Sequence, residues 1–141
     1  MSSDLRTLIR LHKWQLDEKR KALTELQTQA DRLAEQAKRL EEEIVQEQDV
    51  ARGSVEVSYS YAFFAKVAID RRRRLAQSIA QVEAQIAVAT EEMAEAFQEL
   101  KRYELAQENR DRRKAEDVRH RENAMLDEVA LSGFVRRQRE T

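Results

Sequence analysis

The chain has 141 residues, of which 38% are charged, with a net charge of −1, two Gly, no Pro and no Cys. Because Gly and Pro supply most tight turns, this composition excludes a fold with many turns and favours long helices. The near-neutral charge argues against bulk binding to nucleic acid or anionic membranes, and the absence of Cys excludes disulfides and thiol chemistry.

The N-terminal residues 1–14 lack the apolar segment of a secretory signal. No stretch approaches the roughly 18 apolar residues of a membrane span. We therefore expect a cytoplasmic protein with no direct membrane insertion.

A first helix is predicted over about 4–52, with Ser3 or Asp4 as its N-cap. Twelve positions in it are spaced alternately four and three residues apart, and ten of them are apolar. This 3.5-residue period keeps one stripe against a partner helix, as in a coiled coil. The stripe, here called seam 1, consists of Leu5, Ile9, His12, Leu16, Lys19, Leu23, Leu26, Ala30, Leu33, Ala37, Leu40 and Ile44.

A bend is predicted over about 53–59, with Gly53 as a left-handed helix cap. A second helix is predicted over about 60–132, ended by Gly133, with 133–141 as a frayed tail. The polar stretch 104–117 leaves open whether this helix is continuous. Its stripe, seam 2, consists of Ala68, Arg72, Leu75, Ile79, Val82, Ile86, Ala89, Met93, Ala96, Leu100 and Tyr103.

Two seams joined by a short connection predict an all-α fold, a long antiparallel two-helix coiled-coil hairpin forming a single domain over 1–141. With a bend near residue 57, residue i faces roughly residue 115 − i, which places Glu41–Glu43 opposite Arg71–Arg74. In this register, the start of helix 1 lies opposite about residue 110 of helix 2. We expect residues from about 112 to 135 to overhang and to need a partner.

No catalytic constellation is present: the chain has only two His, no Cys and no Gly-rich phosphate loop. We therefore expect no enzyme activity, no metal and no cofactor. His12 lies on seam 1 and is interpreted as a packed core residue. The Arg71–Arg74 run is interpreted as a solvated face opposite Glu41–Glu43, with nucleic-acid binding as the disfavoured alternative.

The chain resembles the FliJ family of flagellar type III export proteins. The resemblance is carried by L-x-x-L-I-R-L-H-K-W-x-L-D-E-K-R over Leu5–Arg20, by the aromatic segment that opens helix 2, and by DEVALSGFVRR at 127–137. It covers essentially the whole chain and implies a hairpin similar to the central stalk of rotary ATPases.

The resemblance also implies partners: the flagellar export ATPase, the cytoplasmic domain of the export gate, and export chaperones, at the cytoplasmic base of the flagellum. Gate binding in the family uses a Tyr-x-x-Phe stretch, which Tyr61 and Phe64 match, with Ala68 four positions later. The two chain ends are expected to bind the ATPase ring, through the apolar residues Leu5, Ile9, Leu16, Val118, Met125 and Val129.

Two other functions remain open from the residues alone. One is a generic coiled-coil scaffold or tether unrelated to secretion. The other is a nucleic-acid-associated coiled coil, which acidic residues interleaved with the basic run 110–121 disfavour. A monomeric rod in solution is expected for the hairpin, and a parallel dimer for the scaffold.

Overall fold

The computed structural model describes residues 4–53 and 55–140, without the side chains of 56–58. These residues form two helices, α1 (Arg6–Ala51) and α2 (Val55–Glu140), and within the described ranges there is no strand. The predicted all-α helical hairpin is confirmed.

Helix α1 is capped by the side chain of Asp4. The Arg6 N–H donates a hydrogen bond to Asp4 Oδ1 at 3.1 Å, which satisfies one of the first-turn amides that have no partner within a helix. The other cap candidate, Ser3, lies outside the described residues.

The connection between the helices is shorter than the sequence indicates. Helix α2 begins at Val55, where a bend was expected. Gly53 does not adopt a left-handed φ, so its predicted cap conformation is wrong. Its N–H instead donates to the Val50 carbonyl at 3.1 Å, an i to i−3 bond that tightens the last turn of α1 without needing a positive φ.

The far end of α2 also differs from the prediction. The helix continues without a break through 104–117, through Gly133 and through the expected tail to Glu140. A single Gly inside a helix costs only about 1 kcal/mol, and no Pro follows to end it. Arg137 and Arg139 in the last turn also suit the negative end of the helix dipole.

The chain divides into two compact units. Unit 1 pairs the described residues up to Lys13 with 98–140, and its buried residues are Leu100 and Gln107. Unit 2 spans 14–97, and the two helices pack against each other around a core of Leu16, Leu23, Leu40, Ala68 and Val82.

The burial pattern reproduces both predicted seams. All twelve positions of seam 1 are buried or half-buried, and every other described residue of α1 is exposed except Glu47 and Ala51, which continue the same spacing. Ten of the eleven positions of seam 2 are likewise shielded, the exception being Arg72. The 3.5-residue period therefore identified the contact face of each helix.

The antiparallel register is close to the predicted one. In unit 1, His12 stacks on Tyr103, the residue that the register assigns to it, with ring centroids 4.5 Å apart. In unit 2, Glu41 pairs with Arg72, two residues from the expected Arg74.

Candidate protein-binding surfaces

Residues 111–140 of α2, called the overhang, have no partner helix among the residues that the structure describes. Arg110 is the last half-buried position before them, and from there to Glu140 every described residue except Gly133 is exposed. The overhang predicted from the register is therefore confirmed, and it extends to the last described turn of α2.

Large apolar side chains lie along the overhang. Val118, Met125 and Val129 are 50%, 65% and 68% exposed and share one face, because steps of seven and four residues are close to whole turns. Leu131 and Phe134 lie on roughly the opposite face and are also exposed. The distal overhang is thus apolar on two sides, which is unusual for a helix surrounded by water.

A shallow groove runs along the first of these faces at Gly133. Its walls are formed by Met125, Glu128, Val129, Ser132 and Arg136. A Cβ atom at Gly133 would meet only Arg137 Nη2, at 3.9 Å, so nothing within the described chain requires Gly here. The groove lets another backbone approach the helix closely.

The start of α1 is anchored to α2 by Gln107. The Leu5 N–H donates to Gln107 Oε1 at 2.7 Å, and Gln107 Nε2 donates to Asp111 Oδ1 at 3.0 Å. The sequence pattern predicts an end of seam 2 at Tyr103 and does not include Gln107, although Gln107 lies four residues later and continues the seam spacing. Gln107 marks the place where helix pairing stops and the overhang begins.

The predicted ATPase-ring residues of α1 differ in exposure. Leu5 and Ile9 are half-buried in unit 1. Leu16 is 4% exposed in the core of unit 2, so it offers almost no surface to a second protein. His12, stacked on Tyr103, packs as a core residue should.

The predicted gate-binding residues all lie on the seam side of α2. The rings of Tyr61 and Phe64 contact each other, with centroids 6.3 Å apart, and both are half-buried. Ala68 is buried. The aromatic cluster at 59–64 is therefore divided, because Tyr59 and Phe63 point outward and are strongly exposed.

The basic run Arg71–Arg74 is largely engaged by carboxylates within unit 2. Arg72 Nε and Nη2 donate to the two carboxylate oxygens of Glu41 at 2.7 and 2.8 Å. Arg71 lies 3.9 Å from Glu43, and Arg74 pairs with Asp70 of its own helix. The predicted pairing of Glu41–Glu43 with Arg71–Arg74 is confirmed for Glu41 and Glu43.

Within the described parts of the chain, no cluster of His, Asp or Glu has the arrangement of a metal site. No helix there is long and apolar enough to cross a membrane.

Comparison with known proteins identifies the family. Residues 1–139 match the family model described as the flagellar FliJ protein. No curated protein and no solved structure gives a significant match. Because the family model spans almost the whole chain, the chain belongs to the FliJ family, a family of flagellar export-apparatus proteins.

Proposed function

We propose that this FliJ-family chain is a non-enzymatic coiled-coil stalk at the cytoplasmic base of the flagellum. It binds the export ATPase ring with the overhang and the start of α1, contacts the export gate with the start of α2, and helps escort export chaperones. Family membership supports the export role, and the distribution of exposed apolar residues supports the choice of surfaces.

The observation that carries the ATPase proposal is the exposed apolar face of the overhang. Val118, Met125 and Val129 have no cover within the described chain. Burying apolar surface gains about 25 cal/mol per Å², so an open face of this kind favours association. Its residues become the anchors of the ATPase contact.

Leu5 and Ile9 take a supporting part in that contact. They lie in unit 1 with the overhang and keep part of their surface exposed. Leu16 contributes through packing, because its side chain is buried in unit 2.

For the gate contact, we propose that the partner meets the half-exposed edges of Tyr61 and Phe64. Ala68 is buried one turn after Phe64 on the same side of α2, where a larger side chain would push the two helices apart.

The ATPase proposal is tested with the double variant Met125→Ser and Val129→Ser. We expect at least a tenfold loss of affinity for the purified export ATPase, since well-buried anchors dominate interface energies. Affinity is measured by titration calorimetry, together with stimulation of ATP hydrolysis.

The matched control is the double variant Val45→Ser and Val50→Ser, which removes two exposed apolar side chains from α1. It should leave ATPase affinity unchanged. If deletion of 118–141 leaves ATPase binding and stimulation intact, the stalk proposal fails and a scaffold unrelated to the ATPase becomes the better interpretation.

A further inference from the structure

The first turns of α2 carry an apolar stripe on the side that faces away from α1. The stripe, called the outer stripe, consists of Val55, Tyr59, Phe63 and Val67, spaced four residues apart. Their exposures are 75%, 80%, 73% and 43%. A run of four large apolar residues at this spacing forms a continuous ridge along a helix.

The outer stripe is separate from the core of the hairpin. Tyr59 lies nine residues from the buried Ala68, which is two and a half helical turns and therefore the opposite side of α2. Phe63 points away from the Tyr61–Phe64 contact, since neighbouring residues differ by about 100° around the helix. Helix packing in unit 2 thus gives no reason for Tyr59 and Phe63 to be aromatic.

Positive charge accompanies the outer stripe. Lys66 lies three residues after Phe63, and Arg73 lies seven residues after Lys66. Both therefore lie near the side of α2 that carries the outer stripe. Neither forms an ion pair with any residue that the structure describes. Asp70 on this side is neutralised by its ion pair with Arg74. The surface therefore combines apolar anchors with two available cations, and it suits a partner that offers apolar side chains and carboxylates.

An anionic membrane fits these charges less well than a protein segment does. Binding to acidic lipids typically needs clusters of four to eight basic residues. Here Arg72 and Arg71 are paired with Glu41 and Glu43, which leaves no strong positive field around the stripe. A protein segment with a few carboxylates provides the number of charges needed to pair with Lys66 and Arg73.

The geometry selects a helical segment. A ridge of residues four apart packs into the groove between the ridges of another helix, the commonest class of helix packing. We infer that the outer stripe docks an acidic amphipathic helix of a partner protein, with Tyr59 and Phe63 as anchors and with Lys66 and Arg73 pairing with its carboxylates. This surface is distinct from the Tyr61–Phe64 edge proposed for the gate.

The test places the photo-cross-linking residue benzoylphenylalanine at position 63 of the full chain, with position 77 as the control. Gln77 is an exposed polar residue near the same side of α2, beyond the outer stripe. The probes are the purified export ATPase, the export-gate cytoplasmic domain and the export chaperones, so the test rests on the proposed function. We expect cross-links from position 63, and not from 77, to one helical segment that contains several Asp or Glu residues.

Binding is then measured for that protein with substituted chains. Phe63→Ala and Tyr59→Ala should each lower the affinity at least tenfold. Lys66→Glu combined with Arg73→Glu should lower it further and reduce its dependence on salt. Val88→Ala, which truncates an exposed apolar residue elsewhere on α2, is the control and should have no effect. Phe63 is largely exposed, so the fold is retained, which circular dichroism checks.

The inference is overturned if position 63 gives no cross-link, or if it cross-links to a basic or non-helical segment or to a second copy of this chain. Binding of vesicles rich in phosphatidylserine that depends on Phe63 also overturns it, in favour of a membrane surface. If none of the probes binds the chain at all, the proposed function fails as well. If they bind with affinities insensitive to Tyr59 and Phe63, only the docking assignment fails.

Discussion

Gln107 shows how a single side chain decides where the pairing of the two helices ends. Among the described residues it is the one buried polar side chain, and both ends of its amide are hydrogen-bonded. Its oxygen satisfies the Leu5 N–H, an amide at the start of α1 that no carbonyl of that helix can reach. The hydrogen bond of Gln107 therefore fixes the alignment of α1 against α2, which Leu or Ala at this position would leave free to shift.

Replacing Gln107 by Ala should lower the free energy of unfolding by about 1–2 kcal/mol, because the partly buried Leu5 N–H loses its acceptor. The measurement is urea denaturation followed by circular dichroism, with amide exchange at Leu5 as the local readout. Gln98→Ala is the matched control, since Gln98 is exposed on the same helix. Equal effects of the two substitutions would contradict the anchoring role of Gln107.

At the scale of the helix pair, apolar burial and charge have different parts. Seam 1 buries Leu side chains and seam 2 buries Ala, Val and Leu, and this burial supplies the association energy. Leu-rich seams alone tolerate shifts by a heptad, whereas charged pairs across the helices are sensitive to the register. The two-pronged contact between Arg72 and Glu41, together with Lys19 and Glu92 at 3.0 Å, selects one antiparallel alignment.

Exchanging the charges of Glu41 and Arg72 tests this selection. Glu41→Arg alone should cost about 0.5–1 kcal/mol of unfolding free energy, because two cations then face each other on a surface that is half exposed. Adding Arg72→Glu should restore most of the loss. Thermal denaturation at low and high salt measures both effects, and the cost should shrink as salt screens the charges.

Glu25→Arg is the control for this exchange, since Glu25 is exposed on α1. It reverses the same charge away from the pair and should change stability by less than about 0.5 kcal/mol. A double exchange that is no more stable than Glu41→Arg alone would show that the pair does not select the register.

At the scale of the whole chain, one continuous helix, α2, contains both a packed segment and a segment without a described neighbour. Helix α2 is packed along seam 2 but has no described neighbour over residues 111–140. In proteins most helical stability comes from packing an apolar face and little from intrinsic propensity. The overhang is therefore the part of α2 that gains most from a partner.

Hydrogen exchange measures this difference. In the free protein, amides of 111–140 should exchange faster than those of 82–100, since local opening is easiest where little apolar surface is buried. Adding the export ATPase should slow exchange in the overhang and leave 82–100 unchanged. If the overhang is already as protected as 82–100 in the free protein, another copy covers it, and the protection should then depend on protein concentration.

The sequence predicted the fold and much of the candidate surface because both follow from the spacing of apolar residues, the positions of opposite charges and the lengths of the helices. A 3.5-residue spacing states directly which side of each helix is buried, and opposite charges gave the register to within about a turn. The overhang followed from the unequal lengths of the two helices. The end of α1 predicted just before Gly53 is correct to within one residue, since the helix ends at Ala51. The end of α2 predicted at Gly133 is wrong, because where a helix ends depends on packing, capping and propensity together, and one Gly contributes only about 1 kcal/mol.

What the sequence by itself determined is the class of structure: two long helices, one connection, an antiparallel seam and an overhanging end. Only the tertiary structure decided how the aromatic segment is divided, with Tyr61 and Phe64 turned toward the seam and Tyr59 and Phe63 turned away from it. It also decided that Gln107 anchors the start of α1 to α2 by accepting a hydrogen bond from the Leu5 N–H. The physical reason is that composition places a residue in a helix, whereas its burial depends on the rotational phase that the whole helix adopts against its partner.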